Sequence, residues 1–216
     1  SDLVSINLGD VATRLLGGVA VADDIAHPPP MPDGLRADLT GERWLKASGK
    51  TNVLIVFVES ISGGHIPAIA ETAGMRSTIE MPRLSALTKS GIVFRRFITQ
   101  QNQSNRGVYA ALCGDIPELA KITAKMSRIA NGLPQRCLPK ALGDAGYSSV
   151  FIKSAQSDFM QMREFGLKVG FDRVYGEEGA SPDLPRGPWG LADDGLYATA
   201  LQEVEQLDRA GKPWLM

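Results

Sequence analysis

The sequence predicts an α/β domain with a mostly parallel sheet and helices on both of its faces. The first observation is the run of residues 53–58, which are all apolar and mostly β-branched or aromatic. A run so short and uninterrupted is typical of a strand buried on both faces, as in a parallel sheet. The second observation is that further short apolar runs are separated by segments of helical character. The predicted strands are near residues 53–58, 91–98, 148–153 and 213–216, and the predicted helices are near residues 81–89, 105–113, 137–145, 159–168 and 193–210.

Glu59 directly follows the first predicted strand and is the first candidate site residue. A carboxylate at the end of a buried strand is costly unless something compensates its charge. In open α/β sheets, ligands bind outside the carboxyl ends of the strands. Glu59 is therefore interpreted as a metal ligand or a catalytic carboxylate. The alternative is an acid on a solvated loop just past the strand.

Ser104 is the second candidate, and it lies where a loop gives way to a helix. Residues 91–98 are interpreted as a strand, and the polar residues 100–103 as a loop. Three apolar residues at helical spacing follow, namely Val108, Ala111 and Leu112. This pattern places Ser104 at or near the N-cap of the helix, where a serine commonly has only a capping role.

The predicted helix N-terminus at Ser104 also suits phosphate chemistry. A helix N-terminus favours anions, and a hydroxyl there can be activated as a nucleophile. Arg106 follows two residues later. It could neutralise a phosphate group, although an arginine in such a position is commonly a surface cation.

The composition is that of an ordinary globular protein. The 216 residues suit one domain, and 44% of them are hydrophobic and 22% charged. A net charge of −1 gives no indication of a nucleic-acid partner. No apolar stretch approaches the roughly 20 residues needed to span a bilayer, and the sequence shows neither an initiator Met nor a signal-peptide pattern.

An ordered series of short motifs carries a resemblance to a known family. The motifs are Glu59-Ser60 after a strand, Met81-Pro82-Arg83-Leu84, Ser104-Asn105-Arg106-Gly107 before a helix ending in Leu112-Cys113, Cys137 to Tyr147, Phe159 to Asp172, and Trp189-Gly190 with Asp193-Asp194. Together they resemble the sulfatase-like branch of the alkaline phosphatase superfamily. The strongest resemblance is to the membrane-anchored phosphoglycerol transferases, which include lipoteichoic acid synthase and the periplasmic glucan phosphoglycerol transferases. It implies an alkaline phosphatase-like fold that is incomplete at the C-terminus of this chain.

The resemblance implies a role for each candidate residue. Glu59 would coordinate a divalent cation, with manganese as the first choice and zinc or magnesium as alternatives. Ser104 would be the nucleophile and a ligand of the same ion. Arg106 and Arg163 would bind the substrate. His65 is a further substrate-binding candidate because it follows Glu59 closely, although a histidine on a loop is commonly just exposed.

The chain departs from the family pattern at three points. The transferases usually carry threonine at the nucleophile, where this chain has the chemically equivalent Ser104. The residues from Ser104 onward lack the Cys/Ser-x-Pro-x-Arg pattern of true sulfatases, which argues against sulfate-ester hydrolysis. Arg163 lies one position out of register with the arginine of the family's glycerophosphate pocket, which weakens the expectation of a phosphoglycerol substrate.

The histidine content suggests that the chain holds only part of a catalytic domain. The family takes an Asp-His pair of metal ligands and a further substrate His from its C-terminal half, whereas this chain contains only His27 and His65. We expect residues 1–50 to form a juxtamembrane helix and a Pro-rich linker. We expect residues 51–216 to form the N-terminal part of a sulfatase-like catalytic domain that is inactive alone.

The expected activity is metal-dependent transfer of a phosphoryl-type group through a serine nucleophile, of the phosphoglycerol transferase kind. The expected substrate is a phospholipid head group or a phosphorylated envelope glycan. The expected location is the periplasmic or cell-surface side of a bacterial inner membrane, with membrane contact through segments outside this chain. Two alternatives stay open. One is a phosphatase, phosphodiesterase or sulfatase-type hydrolase of the same fold, and the other is a catalytically degenerate or truncated binding domain.

The two cysteines, Cys113 and Cys137, allow two interpretations. They could be small buried hydrophobic residues, since free cysteines are often buried. Their separation excludes the close pairs that are typical of zinc sites. An even number of cysteines in an extracytoplasmic domain favours a disulfide, which is the prediction made here.

Overall fold

The computed structural model describes residues 50–77, 81–94, 97, 99, 103–115, 126 and 137–216. Every helix and strand given below belongs to one unit of the chain, Asn52–Met216. The predicted N-terminal helix and Pro-rich linker fall on residues 1–49, which lie outside the described residues.

Within the described residues, the main sheet has three parallel strands. Numbered along the chain, the strands are β1 Ser148–Ile152, β2 Arg173–Tyr175, β3 Arg186–Gly187, β4 Gly190–Leu191 and β5 Trp214–Leu215. The sheet order is β2-β1-β5, with β1 parallel to both neighbours, and β3 and β4 form a separate antiparallel hairpin. The predicted α/β class with a parallel sheet is confirmed, as are the strands expected near residues 148–153 and 213–216.

The helices lie close to their predicted positions. The α-helices with described bounds are α1 Pro67–Ala70, α2 Pro82–Ser90, α3 Ser104–Cys113, α4 Leu138–Asp144, α5 Met162–Lys168 and α6 Asp193–Arg209. Short 3₁₀ turns occupy Gly63–His65, Glu71–Ala73, Phe159–Gln161 and Glu177–Gly179. Both α2 and α4 carry a proline in the first turn, where its missing N–H has no helical partner to lose.

The helix predicted at residues 159–168 is divided in two. A 3₁₀ turn at Phe159–Gln161 precedes α5, because Met160 and Gln161 both adopt positive φ angles, 59° and 58°. Two consecutive non-glycine residues in the left-handed region cannot continue a right-handed helix. The sequence pattern did not indicate this break, since apolar spacing is insensitive to such a local turn.

The edge segment, residues 53–58, forms an isolated bridge at Val53 rather than the predicted strand, and its environment also differs from the prediction. Val53 forms a parallel bridge with Leu215, and the Ile55 N–H donates to the Met216 carbonyl at 2.8 Å. Four of its apolar side chains are nevertheless 43–56% exposed, namely Leu54, Val56, Phe57 and Val58. The prediction of burial on both faces is wrong for the described fold, because β5 is the one described strand that pairs with this segment.

The predicted strand at residues 91–98 is not formed in its described part. Residues 91–94 and Phe97 have no strand conformation, and Ile92, Phe94 and Phe97 are 71–77% exposed. An apolar run becomes a strand only where another backbone supplies ladder hydrogen bonds. No described strand pairs with this run.

Helices cover both faces of the main sheet, as predicted. On one face Phe151 of β1 packs against a core cluster that contains Phe165 of α5. On the other face Val150 packs with Leu207 of α6 and Trp214 of β5. Because successive strand residues point to opposite faces, β1 is buried between two layers of helices. Phe165 is 1% and Val150 1% exposed, and burial of such a side chain contributes on the order of 2 kcal/mol.

The predicted disulfide is present. It joins Cys113, the last residue of α3, to Cys137, the residue before α4, with a Cα–Cα distance of 4.1 Å. The C-terminal end of α3 is also held by the Tyr109 hydroxyl, which donates to Asp115 at 2.8 Å. Burial and this hydrogen bond raise the pKa of Tyr109 to about 12. Helix α3 is thus anchored at the end opposite to Ser104.

Candidate functional site

The candidate site lies at the carboxyl edge of the parallel strands. The edge segment, β5, β1 and β2 all run in the same direction, so their carboxyl ends meet at one edge. Glu59 follows the edge segment there, and Lys153 follows β1. This is the edge at which open α/β sheets bind their ligands.

Glu59 is an exposed carboxylate on a turn. Within the described residues its side chain makes no hydrogen bond or ion pair that would use up its oxygens. The next residue, Ser60, has a φ of 61°, which is uncommon for a residue with a Cβ. Such backbone strain is concentrated at functional sites, where the surrounding structure maintains it. The alternative of a solvated loop acid agrees with the exposure of Glu59 but does not explain the strained turn.

Ser104 is the first residue of α3, and the N-cap position belongs to Gln103, which has extended φ/ψ angles of −103° and 130°. The prediction of a position at or near the N-cap is therefore confirmed to within one residue. The side chain of Ser104 is exposed and has no hydrogen bond within the described residues, and Gln103 makes no capping hydrogen bond. Its hydroxyl thus lies at the positive end of a ten-residue helix without a structural role in capping it.

Arg106 is buried rather than a surface cation. Its side chain is in the first turn of α3 and only 7% of the residue is exposed. Its Nε has no hydrogen-bond partner among the described residues, and neither has the side-chain oxygen of Gln103. A buried donor without an acceptor is costly.

His65 ends the 3₁₀ turn Gly63–His65 that follows the edge segment. The Ser62 hydroxyl caps this turn by accepting the Gly64 N–H at 3.2 Å, and the His65 N–H donates to the Ser62 carbonyl at 3.0 Å. The imidazole is partly buried. The structure therefore places His65 shortly after Glu59 on an ordered turn, and its substrate role stays a prediction.

Arg163 is exposed and makes two hydrogen bonds to neighbouring backbone. Its guanidinium donates to the Val174 carbonyl of β2 at 3.3 Å, and its backbone N–H donates to the Ser157 carbonyl at 2.9 Å. These bonds tie α5 to β2 and to the loop after β1. The guanidinium keeps further N–H donors, so the substrate role of Arg163 stays a prediction.

Lys153 was not singled out from the sequence, although it follows its strand just as Glu59 follows the edge segment. Its Nζ lies 5.2 Å from the centre of the Phe159 ring and 3.4 Å from the Phe159 carbonyl oxygen. Burial lowers the pKa of the Lys153 ammonium, and the nearby Glu178 carboxylate acts in the opposite direction. A charged residue directly after an apolar strand was the signal that could have found it.

The loop after β1 is firmly held by its neighbours. Glu178 accepts the Ser157 N–H at 3.1 Å and the Gly176 N–H at 3.0 Å. Burial acts to raise the pKa of Glu178, but these hydrogen bonds outweigh it and lower the pKa to about 2. The carboxylate is therefore ionised at neutral pH and fixes the course of the loop.

The described residues supply few metal donors in one place. No group of three or more His, Cys, Asp or Glu side chains that could hold a metal ion occurs within the described ranges. Glu59 and Ser104 are two hard oxygen donors with unused lone pairs, which suits a divalent cation. Such an ion takes four to six donors or more, so further ligands or waters would complete the site.

A pocket of about 370 Å³ lies elsewhere, between β2 and α6. Its charged members neutralise each other, since Glu203 pairs with Arg173 and accepts the Tyr175 hydroxyl at 2.7 Å. None of the predicted site residues lines it. Among the described helices, none is long and apolar enough to cross a membrane.

Comparison with known proteins supports the predicted resemblance. The family model described as Sulfatase matches residues 51–216. Phosphoglycerol transferase I of Escherichia coli O127:H6 is 33% identical over 142 residues, which are 61% of this chain and 18% of that protein. The protein of the same name from Shigella boydii serotype 18 is 32% identical over the same shares. The chain thus spans less than a fifth of the length of these curated relatives.

Two solved structures are similar to the described fold. A protein in the alkaline phosphatase superfamily from Vibrio parahaemolyticus has a TM-score of 0.66 and 25% identity, over 77% of this chain and 39% of that chain. The lipoteichoic acid synthase LtaP from Listeria monocytogenes has a TM-score of 0.62 and 18% identity, over 76% of this chain and 39% of that chain. At that identity the second likeness shows the fold alone.

Proposed function

The chain belongs to the sulfatase family, within the alkaline phosphatase superfamily, and on that premise we propose that it supplies the serine nucleophile for transfer of a phosphoryl-type group. In this proposal Ser104 is the nucleophile and Glu59 is a ligand of a divalent cation. The activity is of the phosphoglycerol transferase kind.

The observation that carries the proposal is the N-terminus of α3. Ser104 presents a hydroxyl there that caps nothing, and Arg106 lies buried in the same turn with an unpartnered Nε. An attacking hydroxyl needs a nearby positive charge to stabilise the phosphate oxygens in the transition state. The helix N-terminus and the guanidinium together provide such an environment.

The chemistry proceeds in two transfers. The Ser104 Oγ attacks the phosphorus atom, its hydroxyl proton passes to solvent, and the bond from phosphorus to the leaving alcohol breaks as that oxygen is protonated. A phosphoserine ester remains. An acceptor alcohol or water then attacks the same phosphorus, its proton passes to solvent, and the Ser104 oxygen takes up a proton as it leaves.

Glu59 and Ser104 would hold the divalent cation, with manganese as the first choice. When bound, such an ion polarises phosphoryl oxygens and lowers the pKa of a coordinated hydroxyl. The carboxylate of Glu59 suits this role because the described residues leave its oxygens free. Arg106 would bind the phosphate oxygens from the side of the helix N-terminus.

The proposed substrate is a phospholipid head group or a phosphorylated envelope glycan. The relatives named phosphoglycerol transferase I support this class by similarity. The Cys113–Cys137 disulfide supports an extracytoplasmic location, since disulfides persist in oxidising compartments. We place the domain on the periplasmic or cell-surface side of a bacterial inner membrane.

The test is turnover of phosphatidylglycerol in mixed micelles with Mn²⁺, using protein expressed from its complete natural reading frame. Release of diacylglycerol is the measurement. Ser104→Ala should abolish release, whereas Ser181→Ala, at an exposed serine far along the chain, should not change it. Full activity of Ser104→Ala would exclude Ser104 as the nucleophile. Product analysis with and without added glycerol separates a transferase from a hydrolase.

A non-catalytic binding domain is a second candidate. It is favoured by the lack of a cluster of three metal-binding side chains within the described residues. It predicts that the wild-type protein from the complete reading frame binds phosphatidylglycerol but releases no diacylglycerol at any metal concentration. Any turnover that depends on Ser104 eliminates it.

A further inference from the structure

The pocket between β2 and α6 lies on the opposite face of the sheet from helix α3. Val174 of β2 belongs to the same core cluster as Leu112 of α3. Arg173 and Tyr175 flank Val174 in the strand, so their side chains point to the other face. On that face Tyr175 packs against the cluster that contains Leu207 of α6. The sheet therefore separates the pocket from the helix that carries the proposed nucleophile.

A buried carboxylate lies in the pocket wall. Glu203 of α6 is 3% exposed, pairs with the Arg173 guanidinium through two N–H donors, and accepts the Tyr175 hydroxyl at 2.7 Å. Such a group is costly to bury, and well-packed apolar residues in place of a buried ion pair are often at least as stable. Stability alone therefore does not account for Glu203, which fixes the guanidinium at the wall. Burial and the bond to Glu203 raise the pKa of Tyr175, so its hydroxyl stays protonated at neutral pH.

The charges of the pocket are balanced. Its two charged lining residues are Arg173 and Glu203, and they form an ion pair with each other. A guanidinium has five N–H donors, so the two that contact Glu203 leave others for a ligand. Because the carboxylate already compensates the cation, the pocket favours a neutral hydrogen-bonding ligand over an anion.

The rim of the pocket carries two amides with unused hydrogen-bonding groups. Gln202 and Gln206 are exposed residues one turn apart on α6, and neither side chain makes a hydrogen bond or ion pair within the described residues. Each amide offers two N–H donors and an acceptor oxygen. Sugar hydroxyls both donate and accept, so they match these amides, while the partly buried ring of Tyr175 offers an apolar surface for C–H groups. The volume of about 370 Å³ is within the range of small-molecule sites.

We propose that this pocket binds a neutral sugar, with the Gln202 and Gln206 amides and the Arg173 guanidinium as hydrogen-bond partners of its hydroxyls. The site is separate from the one proposed for Ser104 and Glu59, since the sheet lies between the pocket and α3. The inference goes beyond the proposed function and does not depend on it.

The experiment measures sugar binding by protein expressed from its complete natural reading frame. Glucose, galactose, mannose, maltose and cellobiose are titrated one at a time and followed by saturation-transfer NMR. At least one of them should show saturation transfer, with a dissociation constant from its titration. Inorganic phosphate is then added as a competitor, and it should not displace the sugar, because Glu203 already neutralises Arg173.

Replacing both Gln202 and Gln206 by alanine should weaken binding of that sugar at least about tenfold, since each amide contributes a hydrogen bond. Arg173→Lys keeps a charge opposite Glu203 but removes the planar fork, and it should weaken binding severalfold. Glu205→Ala is the matched control, because Glu205 is an exposed residue of the same helix that does not line the pocket. It should change the affinity less than twofold. Thermal melting of each variant checks that it is folded.

Three results would overturn the inference. They are no saturation transfer to any of the five sugars, unchanged affinity in the double glutamine variant, and displacement of the sugar by inorganic phosphate. None of them bears on the nucleophile, which is tested separately by turnover of Ser104→Ala. That variant should bind the sugar as the wild type does, because the pocket lies across the sheet from α3.

Discussion

The loop after β1 and the turn after the edge segment follow parallel strands that end at one edge, yet they are supported very differently. β1 has a paired strand on each side, and its loop is fixed by Glu178, Gly176 and the hairpin of β3 and β4. The edge segment pairs with β5 alone among the described strands, and most of its apolar side chains are exposed. A residue at the carboxyl end of a sheet backbone is therefore held firmly where a neighbouring strand, loop or hairpin also contacts the segment that follows it.

The largest effect is expected at Gly190, which lies against the loop after β1. Its φ is 115°, and a Cβ there would collide with the carbonyl of Ser154. Gly190→Ala combines backbone strain with overpacking, so it should lower the free energy of unfolding by about 4 kcal/mol. Gly187→Ala, in the same hairpin but with open space at its Cβ, should change it by less than about 0.5 kcal/mol. Urea unfolding of both variants makes the measurement, and equal stabilities would show that the hairpin does not hold this loop.

Loss of the disulfide should have the next largest effect on the free energy of unfolding. The disulfide anchors α3, the helix that begins with Ser104. The bridge closes a loop with a sequence separation of 24 residues. Replacing both Cys113 and Cys137 by alanine should lower the free energy of unfolding by about 3 kcal/mol in the chain-entropy model. The measurement is urea unfolding of the double variant beside oxidised and reduced wild type. A double variant as stable as the oxidised protein would show that α3 is held by packing alone.

The stability of the loop after β1 should depend on pH through Glu178. The folded pKa of Glu178 is about 2, below its value of 4.5 without the loop hydrogen bonds. Its contribution is therefore fully present above about pH 4.5 and is lost as the pH falls toward 2. Because the side chain is largely exposed, we expect about 1 kcal/mol rather than the full value of the shift. Unfolding measured from pH 2 to 7 should show this loss in wild type and in Glu71→Gln, and not in Glu178→Gln. The same acid profile in all three proteins would contradict it.

The smallest effect is expected in the edge segment. Val56 is 53% exposed, so Val56→Thr should change the free energy of unfolding by less than about 0.5 kcal/mol. Val150→Ala, at a valine that is 1% exposed in β1, should lower it by about 2 kcal/mol because it leaves a cavity. Thermal and urea unfolding of both variants test the contrast. A loss of more than 1 kcal/mol for Val56→Thr would mean that this segment is covered in solution.

The sequence predicted the elements whose signal is local. The helices α2, α3, α4 and α6 begin and end within one residue of the prediction, since helical spacing, proline and cap residues act within a few positions. The strand β2 and the hairpin of β3 and β4 were missed, because they have only two or three residues each and depend on partners far away in the chain. Residues 91–98 are the opposite case. Their local pattern is typical of a strand, but no described strand pairs with them.

The candidate site was predicted to a similar extent. The positions of Glu59 at the carboxyl end of the edge segment and of Ser104 at a helix N-terminus follow from local patterns and are present in the structure, although residues 54–58 form no strand. The burial of Arg106 and the tethering of Arg163 to β2 depend on tertiary contacts that no local pattern encodes. Lys153 was missed although a charged residue directly after an apolar strand is a local signal. Whether Glu59 and Ser104 share one cation stays a prediction.

The bridge between Cys113 and Cys137 also determines how the protein behaves toward proteases. It closes a covalent ring around residues 114–136, with Glu59 and Ser104 on the N-terminal side and Lys153 on the C-terminal side. A single cut anywhere within the ring therefore leaves both sides joined through sulfur. The nicked protein keeps one mass under non-reducing conditions, and it separates into two pieces only when a reductant is added.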